Sequence, residues 1–144
     1  MVEKIIYKEL LLGILLRGSF EKKGIEFFTD DQSSQQLGYM KREKNYNIIP
    51  HRHNVVLRDV KHTQEVLFIK SGKVRVDFYD NDEAYLFSKI LNSLDTILLC
   101  EGGHGFHFLE ESEIIEVKQG PYLEERDKVR FNPQQTKIIV QNDI

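Results

Sequence analysis

The chain has a single cysteine, Cys100, among its 144 residues, so no disulfide can form within it. Cys100 closes the apolar run Thr96-Ile97-Leu98-Leu99-Cys100, the setting of a buried and inert thiol rather than of a nucleophile. A chain without disulfides fits a reducing compartment, and a cytoplasmic location is expected. Long hydrophobic runs are also lacking. The apolar stretch Leu10–Leu16 follows Glu3, Lys8 and Glu9, and no small-residue cleavage site comes after it. It falls far short of the ~20 apolar residues that span a bilayer, so it reads as structure and not as a signal or membrane segment. Charge of one sign is not concentrated anywhere. The net charge is −3 and the basic residues are spread along the chain, which argues against nucleic acid or an anionic membrane as partner. Internal repeats, low-complexity segments and linkers are missing as well, so a single domain over residues 1–144 is expected.

What is present is an ordinary soluble composition, 40% hydrophobic and 30% charged, arranged as short strands. Runs at 25–29, 37–40, 65–70, 73–79, 84–90, 96–100, 106–109 and 112–118 are apolar or alternating, and turn residues such as Asp30-Asp31, Ser71-Gly72 and Asp80-Asn81-Asp82 separate them. Strands recurring about every ten residues predict an all-β sandwich or barrel. Lys73-Val74-Arg75-Val76-Asp77-Phe78-Tyr79 alternates with period two, as a half-buried strand does. With the run before Ser71-Gly72 it reads as a hairpin. Residues 1–30 are expected to add N-terminal strands that pack on the barrel, although Ile5, Ile6, Leu10, Leu12 and Leu16 can also line a helix face. Residues 132–144, opening on Asn132-Pro133, read as a C-terminal arm.

Five histidines carry the candidate chemistry: His51, His53, His62, His104 and His107. In an extended segment, residues i and i+2 share a face, so His51 and His53 can approach one ion at about 2.0–2.1 Å. Glu65 opens a strand, and His104 lies in Gly102-Gly103-His104-Gly105, where glycines let the backbone bend sharply. His51, His53, Glu65 and His104 together would suit one divalent transition metal: zinc, iron, manganese or nickel. His107 is the alternative to His104. Glu65 and His62 are the candidate acid–base residues. Arg58, Lys118 and Tyr122 are candidates for contact with an anionic or sugar-like ligand.

The pattern His51-Arg52-His53, Glu65, then Gly72 after six intervening residues, followed by the run from Asp95 through Gly102-Gly103-His104, resembles the cupin superfamily over about residues 37–118. Gln64-Glu65-Val66-Leu67-Phe68, Gly102-Gly103-His104-Gly105-Phe106 and Glu116-Val117-Lys118-Gln119-Gly120-Pro121-Tyr122 are similar to a bacterial single-domain subgroup associated with polysaccharide and sugar-nucleotide gene neighbourhoods. The resemblance implies a small cupin-type barrel (a double-stranded β-helix, or jelly roll) that binds a metal and a small molecule, a carbohydrate or sugar-nucleotide derivative. Isomerase, epimerase and oxygenase activities all fit it. So do a non-catalytic binding or regulatory module and a metal-free isomerase or epimerase. A homodimer is expected, with the apolar residues of the first sixteen positions suited to its interface. The chain departs from the family pattern in three ways. Eleven residues separate His53 from Glu65, with an insertion at 54–61. Cys100 stands where a proline is usual, which brings His104 one residue early. His62, three residues before Glu65, competes for a place in the site.

Overall fold

The computed structural model of the chain describes residues 1–123 and 126–143. Its described secondary structure is β throughout, without an α-helix. Contacts divide the chain into two compact units, one made of Met1–Phe20 with His62–Ile144 and the other of Glu21–Lys61. In chain order the strands are β1 (Val2–Tyr7), β2 (Leu10–Leu16), β3 (Gly24–Phe27), β4 (Gly38–Lys41), β5 (Glu65–Ser71), β6 (Lys73–Tyr79), β7 (Tyr85–Asn92), β8 (Thr96–Leu99), β9 (Gly103–Phe108) and β10 (Glu113–Lys118).

The larger unit holds two antiparallel sheets, of order β1-β2-β8-β5-β10 and β7-β6-β9. One row of the first sheet runs Leu15, Ile97, Leu67 and Glu116, and the next runs Gly13, Leu99, Glu65 and Lys118. Because side chains alternate along a strand, Glu65, Leu67 and Ile69 share one face. Leu15, Leu67, Ile69, Ile97 and Leu99 pack there with Val74, Val76, Phe78, Phe87 and Leu91 of the second sheet, all nearly free of solvent exposure. Burial of that apolar surface holds the sheets face to face.

Along the β1 and β7 side, polar groups join the sheets. Lys89 is fully buried and its Nζ lies 2.7 Å from Glu3, while it also donates to the carbonyl of Asn142 at 2.9 Å. A buried ammonium of this kind needs such partners to stay charged away from water. Residues 139–141 run beside β7. Ser88 N–H donates to the Ile139 carbonyl and Gln141 N–H to the Ser88 carbonyl. Arg17 bonds Asp95 at 2.6 Å and also reaches Asp143. Along the other side, β9 and β10 end their sheets without a mutual ladder, and the sandwich stands open.

One expectation is corrected. The runs on either side of Ser71-Gly72 do not form a hairpin: β5 pairs with β8 and β10, and β6 with β7 and β9. Gly72, at φ +87°, carries the chain from one sheet to the other. A Cβ there would sit 2.4 Å from the Glu111 carbonyl oxygen, so the position accepts only glycine. Both flanking strands are apolar enough to be buried, and each finds its ladder partners within a different sheet. The first residues form the hairpin β1–β2 rather than a helix.

In the smaller unit, β3 and β4 make a two-stranded antiparallel sheet. Residues 42–61 follow without helix or strand.

Candidate functional site

Glu65 is the first residue of β5 and faces inward, in line with Leu67 and Ile69 but at the open end of the sandwich. Its side chain is 14% exposed, and its Oε2 lies 3.2 Å from His104 Nε2. His104 is the second residue of β9. The backbone reaches it through Gly102, at φ +73°, where a Cβ would stand 2.5 Å from the Tyr79 carbonyl oxygen. The glycine is therefore obligatory, and the tight turn it permits brings the imidazole to β5. Lys118 Nζ, opposite Glu65 in the register, is 3.9 Å from Glu65 Oε1 and 3.3 Å from Glu116. The His104 ring rests on Phe106 with centroids 5.4 Å apart.

The hydrogen bond from His104 holds the Glu65 carboxyl below the ordinary glutamate range, against the opposing effect of burial, and the charges of Lys118 and Lys128 add to it. Glu65 is thus a carboxylate at neutral pH. With Nε2 turned to Glu65, Nδ1 is the ring nitrogen left to face a ligand. That is the arrangement of an oriented general base.

These residues line a cavity of about 950 Å³ that wraps around the edge of β9. Its inner part lies between the sheets and holds Glu65, His104, Phe106, Glu116 and Lys118. Its outer part lies on the far face of β6. There Arg75 makes a two-pronged bond to Asp77, at 2.7 and 3.0 Å, and Asp77 accepts a further bond from Ser88 at 2.5 Å. Tyr79 packs edge-on against Phe131 at 5.1 Å and accepts a hydrogen bond from Gln135. Burial raises the pKa of its phenol. In sequence, Arg75, Asp77 and Tyr79 look like the solvent face of an alternating strand. The segment 127–135, distant in sequence, covers them, and nothing local announces that cover.

The structure places the sequence candidates as follows. His104, not His107, is the histidine that meets Glu65 among the described residues. The two are three apart on one strand and so face opposite ways, and His107 stands opposite Arg75 in the register. His62 is exposed on the cavity wall. His51 and His53 belong to the smaller unit, on exposed chain outside any strand. Their rings stand edge-on at 5.4 Å, and His51 Nδ1 is 3.0 Å from the Ile49 carbonyl oxygen. Lys118 lines the cavity, while Arg58 and Tyr122 are exposed. Cys100 lies on the wall too, and burial pushes its thiol up to about 11, so it carries little thiolate at neutral pH.

Among the described residues, no group of three or more His, Cys, Asp or Glu side chains is placed to hold a metal ion. Glu65 and His104 offer two donors where zinc commonly takes three or four. As placed, the residues do not fit a resident ion, and no step is routed through one. No described helix is long and apolar enough to cross a membrane. No family model, curated protein or solved structure matches the chain.

Proposed function

We propose that this protein is a cupin of the jelly-roll type whose pocket takes a carbohydrate or sugar-nucleotide derivative, and that Glu65 and His104 move a proton on it, as an isomerase or epimerase does. One observation carries the reading: a carboxylate and an imidazole 3.2 Å apart on the wall of a cavity of about 950 Å³. Glu65 holds the ring in one tautomer and stabilises the imidazolium that forms. His104 takes a proton from the carbon beside a ligand carbonyl, breaking that C–H bond. It returns the proton on the same face to the neighbouring carbon, so that the carbonyl moves, as in an isomerase; inversion at the first carbon takes a second acid on the opposite face. Lys118 offers a cation to the oxygen on which the electron pair rests meanwhile. Phe106 gives the apolar face that a sugar ring packs on. The accompanying picture is a cytoplasmic homodimer.

The test is proton exchange. With dTDP- and UDP-linked keto sugars in D2O, NMR should show deuterium entering beside the carbonyl. His104→Gln should slow this by at least ~100-fold, and Glu65→Gln by a smaller factor. Binding without any exchange would replace the enzyme with a non-catalytic binding module. Exchange unaffected by His104→Gln would overturn the assignment of the pair.

A further inference from the structure

Among the surfaces that present bulky apolar side chains to water, two match each other. The first is the segment 45–61, which contributes to neither sheet. In it Ile49 is 83% exposed, Val55 102% and Leu57 99%. Its described side-chain hydrogen bonds return to its own backbone, from His51 to Ile49 and from Arg58 to Val56. The second surface is the outer side of β10. This strand ends its sheet, so among the described residues one row of its backbone N–H and C=O groups has no ladder partner. Its Ile115 and Val117 are 53% and 57% exposed and stand in register with Phe68 and Val66 of β5. Together these four make an apolar strip beside an open edge. A bare edge next to exposed apolar side chains is a template for another strand.

The two surfaces match in pattern and in charge. In an extended Asn54-Val55-Val56-Leu57-Arg58, Val55 and Leu57 share one face, as Ile115 and Val117 do. Arg58 falls on the opposite face, as Glu116 does. Between 44 and 61 the charged residues are Lys44, Arg52, Arg58 and Lys61 against Asp59, whereas 110–118 carries Glu110, Glu111, Glu113 and Glu116 against Lys118. Of the first sixteen residues, the interface expected from sequence, Leu12, Ile14 and Leu15 are at most 1% exposed within the chain itself, whereas Ile6 is 55% exposed.

We infer that the partner for both surfaces is a second copy of this chain. Segment 45–61 of one copy adds as a strand to the free edge of β10 in the other, reciprocally about a two-fold axis. Backbone bonds to the bare edge hold the strand, Val55 and Leu57 cover Ile115 and Val117, and Arg58 meets Glu116. The proposal does not depend on what the pocket binds.

The protein should be a dimer by light scattering at micromolar concentration. Val55→Glu/Leu57→Glu should weaken that dimer at least ~10-fold, because it removes apolar cover and adds charge of the sign β10 already carries. Circular dichroism should show the double variant's sheets intact. Arg58→Glu alone should also weaken the dimer, and Glu116→Arg in the same chain should restore it. Location is fixed in a Cys100→Ser background by mixing one pool carrying Leu57→Cys with another carrying Ile115→Cys. Oxidation should give a cross-linked dimer from the mixture. A monomeric wild type, or a dimer indifferent to these substitutions, overturns the proposal. So does a Leu57→Cys/Ile115→Cys chain that closes its disulfide within a single copy, because the segment then covers its own sheet.

Discussion

The two units of this chain differ in what their strands can bury. In the Met1–Phe20 and His62–Ile144 unit, strands of four to eight residues set Leu15, Leu67, Ile69, Val76, Phe78 and Ile97 against one another at 0–2% exposure. In the Glu21–Lys61 unit, two four-residue strands pair once, and Ile25, Phe27 and Met40 remain 45–56% exposed. An isolated two-stranded ribbon is marginal in water, because it has no second layer on which to bury a face. A hydrophobic residue stabilises through the cover it finds, and its strand pattern alone does not supply that cover.

That contrast can be broken by mutation. Phe78→Ala, in the core, should cost about 3–5 kcal/mol in chemical denaturation. Phe27→Ala, at 56% exposure, should cost under about 1 kcal/mol. Equal costs would mean that the smaller unit has a core after all. Lys89→Ala should be nearly as severe as the core truncation, about 3–5 kcal/mol, because it strands the Glu3 carboxylate inside the protein. Restoring most of the loss with Glu3→Gln added to Lys89→Met would show that the uncompensated charge, and not the lost packing, is the cause.

The smallest effect sharpens the site. Glu65 has a folded-state pKa held down by the His104 hydrogen bond. Its contribution to stability is therefore present above the unfolded glutamate value of about 4.3 and is lost as pH falls through the lower folded value. The residue is only partly buried, so the loss should be under about 1 kcal/mol. Between about pH 6 and pH 3 the wild type should lose that much more stability than Glu65→Gln. Parallel pH profiles would remove the His104 bond as the cause.

Much of this was legible in the sequence. Short alternating runs with turn residues between them gave eight of the strands close to their observed positions. Glu65 and His104 stood out by residue type, and the glycines before His104 pointed to the bend that delivers it. The Ser71-Gly72 step was misleading for a physical reason. A glycine with positive φ closes a hairpin or carries a chain between sheets, and only the ladder partners of each strand decide which. Arg75, Asp77 and Tyr79 were not legible as cavity residues, since their cover comes from the segment 127–135, far downstream.

By itself the sequence determined the all-β character, through period-two patterning that no helix can satisfy, and it determined the lone thiol and the residue types available for proton chemistry. The tertiary structure decided which strands share a sheet. It put a lysine in the interior against Glu3, and it turned His104 rather than His107 toward Glu65. Each of those outcomes depends on groups distant along the chain meeting in space. Local patterning fixes which way a side chain points but not what it will find there.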